Sequence, residues 1–284
     1  MNLQKIIFQM SKKTKLNILD IELILAYVLK KSREFIIAHP EHKLTKSQIA
    51  KSKLLIKKRL KGVPIAYLTG HKEFYGLDFK VNKNVLIPRP ETELMIEEAS
   101  NLITHNPQPI TLVDIGTGSG CIIITLASLI KNCKLLAIDI SEKALVVTKQ
   151  NAKLNNVYKK IKFLKGDLLK PIINSKFVIH NSKLIITANL PYLTPTQIKN
   201  SPTIKYEPKL ALTAGLDGLK YYRQLFKQIK TLPNVKYVLC EIDPSQTLKI
   251  KKLIKRELPK ANCQIKKDLS GLNRLVVISI SSTY

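Results

Sequence analysis

Apolar side chains recur along roughly the first sixty residues at the three- and four-residue spacing of a helix face. Asp20 to Lys31 carries Ile21, Ile24, Leu25, Val28 and Leu29 on one stripe. Ser47 to Leu60 repeats the pattern with Ile49, Leu54, Ile56 and Leu60, and lysines fill its other face. These stripes predict a bundle of two to five helices that ends near Gly62-Val63-Pro64, where glycine and proline stop a helix. The pattern then changes. Ile65 to Gly70 and Lys72 to Gly76 are short runs separated by turn residues, Leu77 to Val81 alternates apolar with polar, and Asn82-Lys83-Asn84 can turn the chain. A hairpin is expected here, followed by an extended Val85 to Pro90 approach to a helix starting near Thr92.

From Ile110 onward the periodicity alternates as in α/β proteins. Strands are predicted over Ile110–Asp114, Lys134–Asp139, Ile161–Gly166, Leu184–Asn189 and Lys236–Ile242. Helices are predicted over Ser119–Lys131, Ser141–Asn156, Leu219–Ile229 and Ser245–Leu258. Cys263–Leu269 and Asn273–Ile280 read as two closing strands around Ser270-Gly271. Three domains are expected: a helical bundle over 1–63, a hairpin linker over 64–90 and an α/β domain over 91–284.

Two signatures end predicted strands. Asp114-Ile115-Gly116-Thr117-Gly118-Ser119-Gly120 joins a strand to a helix, and Asn189-Leu190-Pro191-Tyr192 ends the apolar run Leu184 to Ala188. In an open α/β sheet ligands bind outside the carboxyl ends of the strands, so both signatures should face one crevice. Glycines let the first turn close tightly and let a ligand approach the backbone. Asp139 ends the next strand, 19 residues after Gly120, and can accept hydrogen bonds from both hydroxyls of a ribose. The spacing G-x-G-x-G departs from the G-x-G-x-x-G that seats a dinucleotide pyrophosphate on a helix N-terminus. S-adenosyl-L-methionine, which carries no phosphate, is the expected cofactor, with S-adenosyl-L-homocysteine as product. The expected cofactor-binding residues are Asp114, Gly116, Thr117, Gly118, Ser119, Gly120, Asp139, Asp167, Leu168 and Asn189. Asp114 would orient the ligand ammonium directly or through water; Asp167 and Leu168 would lie beside the adenine, although Leu168 serves equally as core.

The second signature suits methyl transfer to a planar nitrogen. An amide nitrogen is a poor nucleophile because its lone pair is delocalised, and its proton is out of reach of a near-neutral base. Two acceptors gripping both N–H bonds can favour a pyramidal nitrogen; the Asn189 side-chain oxygen and the Leu190 carbonyl form such a pair. Tyr192 can stack on the acceptor plane. Asn189 and Tyr192 are thus the candidate catalytic residues, and Asn189, Leu190, Pro191 and Tyr192 the candidate substrate-binding set.

Bulk properties refine this only slightly. The formal net charge is +28, spread as +11 over residues 1–70, +7 over 71–200 and +10 over 201–284. The stretch holding both signatures is the least basic per residue, so the charge is read either as lysines solvating the surface or as a face for an acidic or phosphate-bearing partner. No apolar run approaches the roughly 18 residues of a membrane span, and Met1 to Lys15 lacks the features of a secretory signal. Cys121, Cys133, Cys240 and Cys263 show no C-x-x-C spacing, and Cys121 and Cys240 sit in runs expected to be buried. His39, His42, His71, His105 and His180 show no ligand spacing. No metal is expected, and a reduced cytoplasm is the expected compartment.

These residues resemble the peptide chain release factor glutamine methyltransferases over nearly the whole chain. The likeness includes Ala66 to Gly70, Glu73-Phe74, Leu86-Ile87-Pro88-Arg89-Pro90-Glu91-Thr92-Glu93, the Asp114–Gly120 loop and Tyr206-Glu207-Pro208-x-x-Ala211-Leu212. The resemblance implies a helical N-terminal domain, a hairpin and a seven-stranded class I (Rossmann-like) methyltransferase domain with an antiparallel C-terminal strand. It implies methylation of the side-chain amide nitrogen of the glutamine in the Gly-Gly-Gln tip of release factors 1 and 2, with no nucleic acid required and no membrane. A monomer is expected, its helical domain helping to grip the substrate. One position departs: Leu190 stands where the family has the first proline of Asn-Pro-Pro-Tyr. The expected group there is a carbonyl, which leucine keeps, so activity is expected to survive. Asn-Leu-Pro-Tyr also resembles the ribosomal RNA adenine dimethyltransferases, and a nucleic-acid amino-methyltransferase is the alternative. In those enzymes the methyltransferase domain comes first, whereas here about 100 residues precede the glycine loop. A non-catalytic binding module would keep the glycine loop but need not keep Asn189 with Tyr192.

Overall fold

The computed structural model describes residues 1–14, 16–106, 109–174, 182–201 and 203–281. His180 lies outside them. The chain forms two compact units, one of residues 1–71 with 202–206 and one of 72–201 with 207–284.

The first unit is helical, with helices Leu3–Thr14, Ile18–Leu29, Arg33–Ala38, Lys46–Leu60 and Ile65–Thr69. The stripe Ile21, Ile24, Leu25 and Val28 is buried as expected, against Leu3, Ile6, Ile36, Leu55 and Ile56. In Lys46–Leu60 the buried face is Ser52, Leu55 and Ile56, while Leu54 and Leu60 are exposed. Positions 52, 55 and 56 share a face at helical spacing, from which 54 is rotated away, and Leu60 is the last residue of the helix. Thr45 and Gln48 cap this helix reciprocally: the Gln48 N–H donates to Thr45 Oγ1 (3.2 Å) and the Thr45 N–H to Gln48 Oε1 (2.9 Å). Arg59 pairs with Asp20 at 2.7 Å and Arg33 with Glu22 at 2.8 Å.

Residues 65–69, read as part of the hairpin, are a helix instead. Pro64 precedes its first turn and Gly70 closes it in the left-handed region (φ 76°). The hairpin proper is β1 (His71–Phe74) and β2 (Leu77–Lys80). Tyr75 (φ 52°) and Gly76 (φ 73°) form its two-residue loop. Positive φ at both loop residues is the primed geometry that matches strand twist.

In the second unit β3 (Ile110–Ile115), β4 (Cys133–Asp139), β5 (Ile161–Lys165), β6 (Lys183–Ala188), β7 (Val235–Glu241), β8 (Ala261–Lys267) and β9 (Asn273–Ile280) form one sheet of order β5-β4-β3-β6-β7-β9-β8. The pairs from β5 to β7 are parallel, whereas β7–β9 and β9–β8 are antiparallel. β3, β4, β6 and β7 read as continuous apolar runs because helices cover both faces. Successive β3 residues divide between two cores: Leu112 joins Ala137, Ile185 and Leu239, while Val113 joins Ile138, Ile186 and Val238. Register then aligns the carboxyl tips. Ile115 pairs with Ile138 and Ala188, and Ala188 with Cys240, so Gly116, Asp139, Asn189 and Glu241 all stand on one edge. Among the described residues no helix is long and apolar enough to cross a membrane.

Candidate active site

The tips of β3, β4, β5 and β6 open into a cleft of about 240 Å³. It sits where the strand order reverses around β3, the usual ligand crevice of an open α/β sheet.

The glycine loop forms one wall. The N–H groups of Gly116 and Thr117 both donate to the Ile138 carbonyl, at 2.8 and 3.1 Å, which bends the chain sharply off β3. Gly116 (φ 68°) sits in the left-handed region that favours glycine, and a Cβ there would crowd Leu190 Cδ2 at 3.1 Å. Asp139 accepts from the Gly118 N–H through Oδ2 (2.9 Å) and from the Ser141 N–H through Oδ1 (2.8 Å). It lies on the cleft wall, its carboxyl pushed up from the ordinary range mainly by burial. A carboxylate has about four acceptor sites, so both oxygens retain capacity for hydroxyl donors. Asn151, fully buried on helix Glu142–Leu154, donates to the carbonyls of Ser119 (2.8 Å) and Lys80 (2.9 Å) and accepts from the Lys80 N–H (2.8 Å). One side chain thereby ties the glycine loop to the hairpin.

Thr117, Ser119, Asp167, Leu168, Leu190 and Pro191 also line the cleft, along with Gly118 and Asn189. Leu168 adopts a left-handed backbone (φ 53°) and serves both readings, being on the cleft wall and in the core. Three expected residues do not line it: Asp114, Gly120 and Tyr192.

Asp114 stands behind the loop with no exposed surface. Its oxygens accept from Thr117 Oγ1 (2.6 Å) and Thr187 Oγ1 (2.8 Å), so it braces the turn from behind the loop. Burial pushes its carboxyl up to about 7, with Asp139 adding to the rise and the two threonines opposing it. Gly120 (φ 84°) starts helix Cys121–Leu129, where a Cβ would come within 2.7 Å of both Ile124 Cδ1 and Thr148 Cγ2. Cys121, expected in the core, is partly exposed on the cleft wall because it begins that helix.

Tyr192 is partly buried against the core rather than presented as a stacking platform. Its hydroxyl donates to Glu241 Oε1 at 3.1 Å. Glu241 also accepts, through Oε2, from Asn189 Nδ2 (2.9 Å) and Thr92 Oγ1 (2.6 Å). Asn189 Nδ2 contacts Thr92 Oγ1 as well, at 3.2 Å. With its nitrogen committed to a carboxylate, Asn189 keeps Oδ1 as its remaining acceptor.

Glu241 was not singled out from the sequence, and Thr92 was named only as a helix start and within the Leu86–Glu93 segment, without a role at the site. A glutamate ending the apolar run Val238-Leu239-Cys240 is the same signal that flags Asp139 on β4, but only the sheet order puts β7 beside β6. The two signature segments around Arg89 and Glu207 also meet. Buried Glu207 accepts from the Ile87 N–H (3.2 Å) and pairs with the Arg89 guanidinium, which pins Ile87, Pro88 and Arg89 against the cleft.

A seven-stranded sheet of this order with a glycine loop, an acidic second tip and an Asn-x-Pro-Tyr fourth tip defines a class I methyltransferase. Family models agree: residues 3–70 match the PrmC N-terminal domain, and residues 108–274 match a methyltransferase domain. The release factor glutamine methyltransferase of Bacillus anthracis is 35% identical over 265 residues, covering 91% of each chain. That of Dictyoglomus turgidum is 35% identical over 264 residues, covering 92% of this chain and 90% of that one. The solved hMettl16 catalytic domain shares the fold, with a TM-score of 0.58 at 17% identity over 92% of each chain. The chain belongs to the release factor glutamine methyltransferase family.

Proposed function

We propose that this enzyme methylates the side-chain amide nitrogen of the glutamine in the Gly-Gly-Gln tip of peptide chain release factors, using S-adenosyl-L-methionine. The observation that carries the reading is Asn189: it lines the same cleft as the glycine loop, and its own nitrogen is engaged by Glu241. The cleft suits this cofactor because its donor set matches a nucleoside and not a pyrophosphate. Asp139 offers acceptors to ribose hydroxyls, the Gly116–Ser119 turn leaves backbone in reach, and Leu168 offers an apolar surface. When bound, the cofactor supplies an activated methyl group whose bonding electrons remain on sulfur after transfer.

The chain's own residues supply orientation and charge. Asn189 Oδ1 and the Leu190 carbonyl accept the two N–H bonds of the substrate amide, which localises the nitrogen lone pair towards the methyl group. They also place partial negative charge beside the nitrogen as it becomes cationic, an effect worth about 3–4 kcal/mol for each preorganised dipole. The proton leaves the nitrogen after transfer, so no general base is required. Orientation contributes much of the remaining rate. The buried Leu190 side chain packs over Gly116, a role that the family's proline would fill with a different shape. We assign the helical unit to recognition of the protein substrate, because a glutamine tip alone offers little surface for specificity.

Incubation with labelled methyl donor and either release factor or ribosomal RNA tests this reading. Label on the release factor, lost when its Gly-Gly-Gln glutamine is replaced, is expected. Label confined to RNA after protease treatment would favour an adenine amino-methyltransferase.

A further inference from the structure

We propose that Glu241 is a positioning residue that fixes which end of the Asn189 amide faces the acceptor. The inference rests on the reading of Asn189 Oδ1 as the substrate acceptor. An asparagine amide is nearly symmetric in shape, with oxygen and nitrogen interchangeable by a flip about its last torsion. Left to packing alone, it would present a donor as readily as an acceptor. A flipped Asn189 would offer the amide N–H bonds of a substrate two further N–H bonds, and catalysis would fail.

The surroundings remove that choice. Burial pushes the Glu241 carboxyl up from its ordinary range, whereas the hydroxyls of Thr92 and Tyr192 and the charge of Arg274 favour its ionised form, which accepts and never donates. Glu241 Oε2 stands 2.9 Å from Asn189 Nδ2, so the flipped amide would press its oxygen against a buried carboxylate oxygen. Unpaired polar atoms in such places are costly. Thr92 adds a second constraint. Its hydroxyl gives its proton to Glu241 Oε2 at 2.6 Å, which leaves only lone pairs to meet Asn189 Nδ2 at 3.2 Å. Both neighbours of the amide therefore demand a donor.

Glu241 is itself held from several sides. Tyr192 donates to Oε1 at 3.1 Å, and the Tyr222 hydroxyl, buried beneath, donates to the main-chain carbonyls of Ala188 (3.3 Å) and Glu241. Those carbonyls lie on the neighbouring strand tips β6 and β7, so the tyrosine keeps the two tips in step. This explains why Asn-x-Pro-Tyr carries a tyrosine here that is absent from the cleft wall: it steadies the carboxylate that steadies the asparagine.

Three measurements test the proposal. In Glu241→Gln, turnover should fall about 30- to 100-fold, somewhat below the loss of a whole preorganised dipole, while KM and S-adenosylhomocysteine affinity stay within about threefold. Nitrogen-15 NMR reads the clamp without any substrate. The Asn189 side-chain NH2 signal, assigned by its loss in Asn189→Ala, should be exchange-protected in the wild type and exposed or doubled in Glu241→Gln. Exchanging the partners is the third. Asn189→Asp alone sets two carboxylates together and should be nearly inactive. Asn189→Asp with Glu241→Gln restores one donor and one acceptor, and should recover at least about tenfold of the lost turnover.

An unchanged NH2 signal in Glu241→Gln, or loss of turnover matched by equal loss of cofactor affinity, would overturn the proposal. So would a paired exchange no better than Asn189→Asp. If Glu241→Gln does not fold, Thr92→Val decides: an altered NH2 signal and a three- to tenfold slower turnover support the clamp, and no change in either overturns it. Should the wild type methylate no release factor, the functional reading fails while the NMR comparison still judges the clamp.

Discussion

On the proposed reading, Asp139 at the tip of β4 and Asn189 at the tip of β6, on either side of β3, divide the work, and substitutions should separate their tasks. Asn189→Ala removes an acceptor aimed at the substrate; turnover should fall at least about 100-fold with S-adenosylhomocysteine affinity nearly unchanged by calorimetry. Asp139→Ala should do the reverse in the same assay. It removes the ribose acceptor and also strands the Gly118 and Ser141 N–H groups, so product affinity should drop well over tenfold. Asp114 offers a test by pH. Its folded carboxyl titrates at about 7, well above its ordinary 3.8, so the folded state holds a proton the unfolded chain has released. Its contribution to stability is complete below about pH 3.8 and is lost as pH rises through 7. The melting temperature of Asp114→Asn, measured against wild type, should therefore improve steadily from pH 4 to pH 7. A flat difference would show that Asp114 does not titrate there.

Turns and straps between elements place these residues, and two of them can be probed directly. Gly120→Ala puts a methyl into Ile124 and Thr148 at a left-handed position; a cost of about 2–3 kcal/mol in urea unfolding is expected. Glu207→Ala releases the Ile87 N–H and Arg89 together. It should loosen the segment lining the cleft and weaken S-adenosylhomocysteine binding about tenfold, consistent with one or two lost polar contacts of roughly 1 kcal/mol each. At this scale the sequence was readable where a pattern is local. Strand positions in the sheet follow their apolar runs to within a residue or two, and Asn82-Lys83-Asn84 turns as expected, with the Asn84 N–H held by Asn82 Oδ1 at 2.9 Å. It failed over residues 65–69, where an apolar stretch of five is too short for periodicity to separate helix from strand.

For the molecule as a whole, the chain returns at residues 202–206 to the helical unit before the methyltransferase unit resumes at Glu207. The Tyr206 hydroxyl donates to the Lys61 carbonyl at 2.6 Å, satisfying a backbone oxygen at the end of helix Lys46–Leu60. Tyr206→Phe should cost about 1 kcal/mol in unfolding followed by circular dichroism, leaving product affinity intact. Nothing in the local pattern marks residues 202–206 as part of the helical unit, because the contact joins positions 145 apart in the chain.

Sequence by itself determined the elements, the glycine loop, the acidic tip of β4 and the family, because each is written in neighbouring residues whose spacing has a direct physical meaning. Tertiary structure decided what those residues face. Asp114, Gly120 and Tyr192 belong to the motifs yet stand behind the cleft, whereas Glu241 and Thr92 belong to neither motif and hold Asn189. The reason is that strand order, unlike strand identity, is set by long-range packing. Only when β7 lies against β6 does a glutamate 52 residues away become the neighbour that orients the amide.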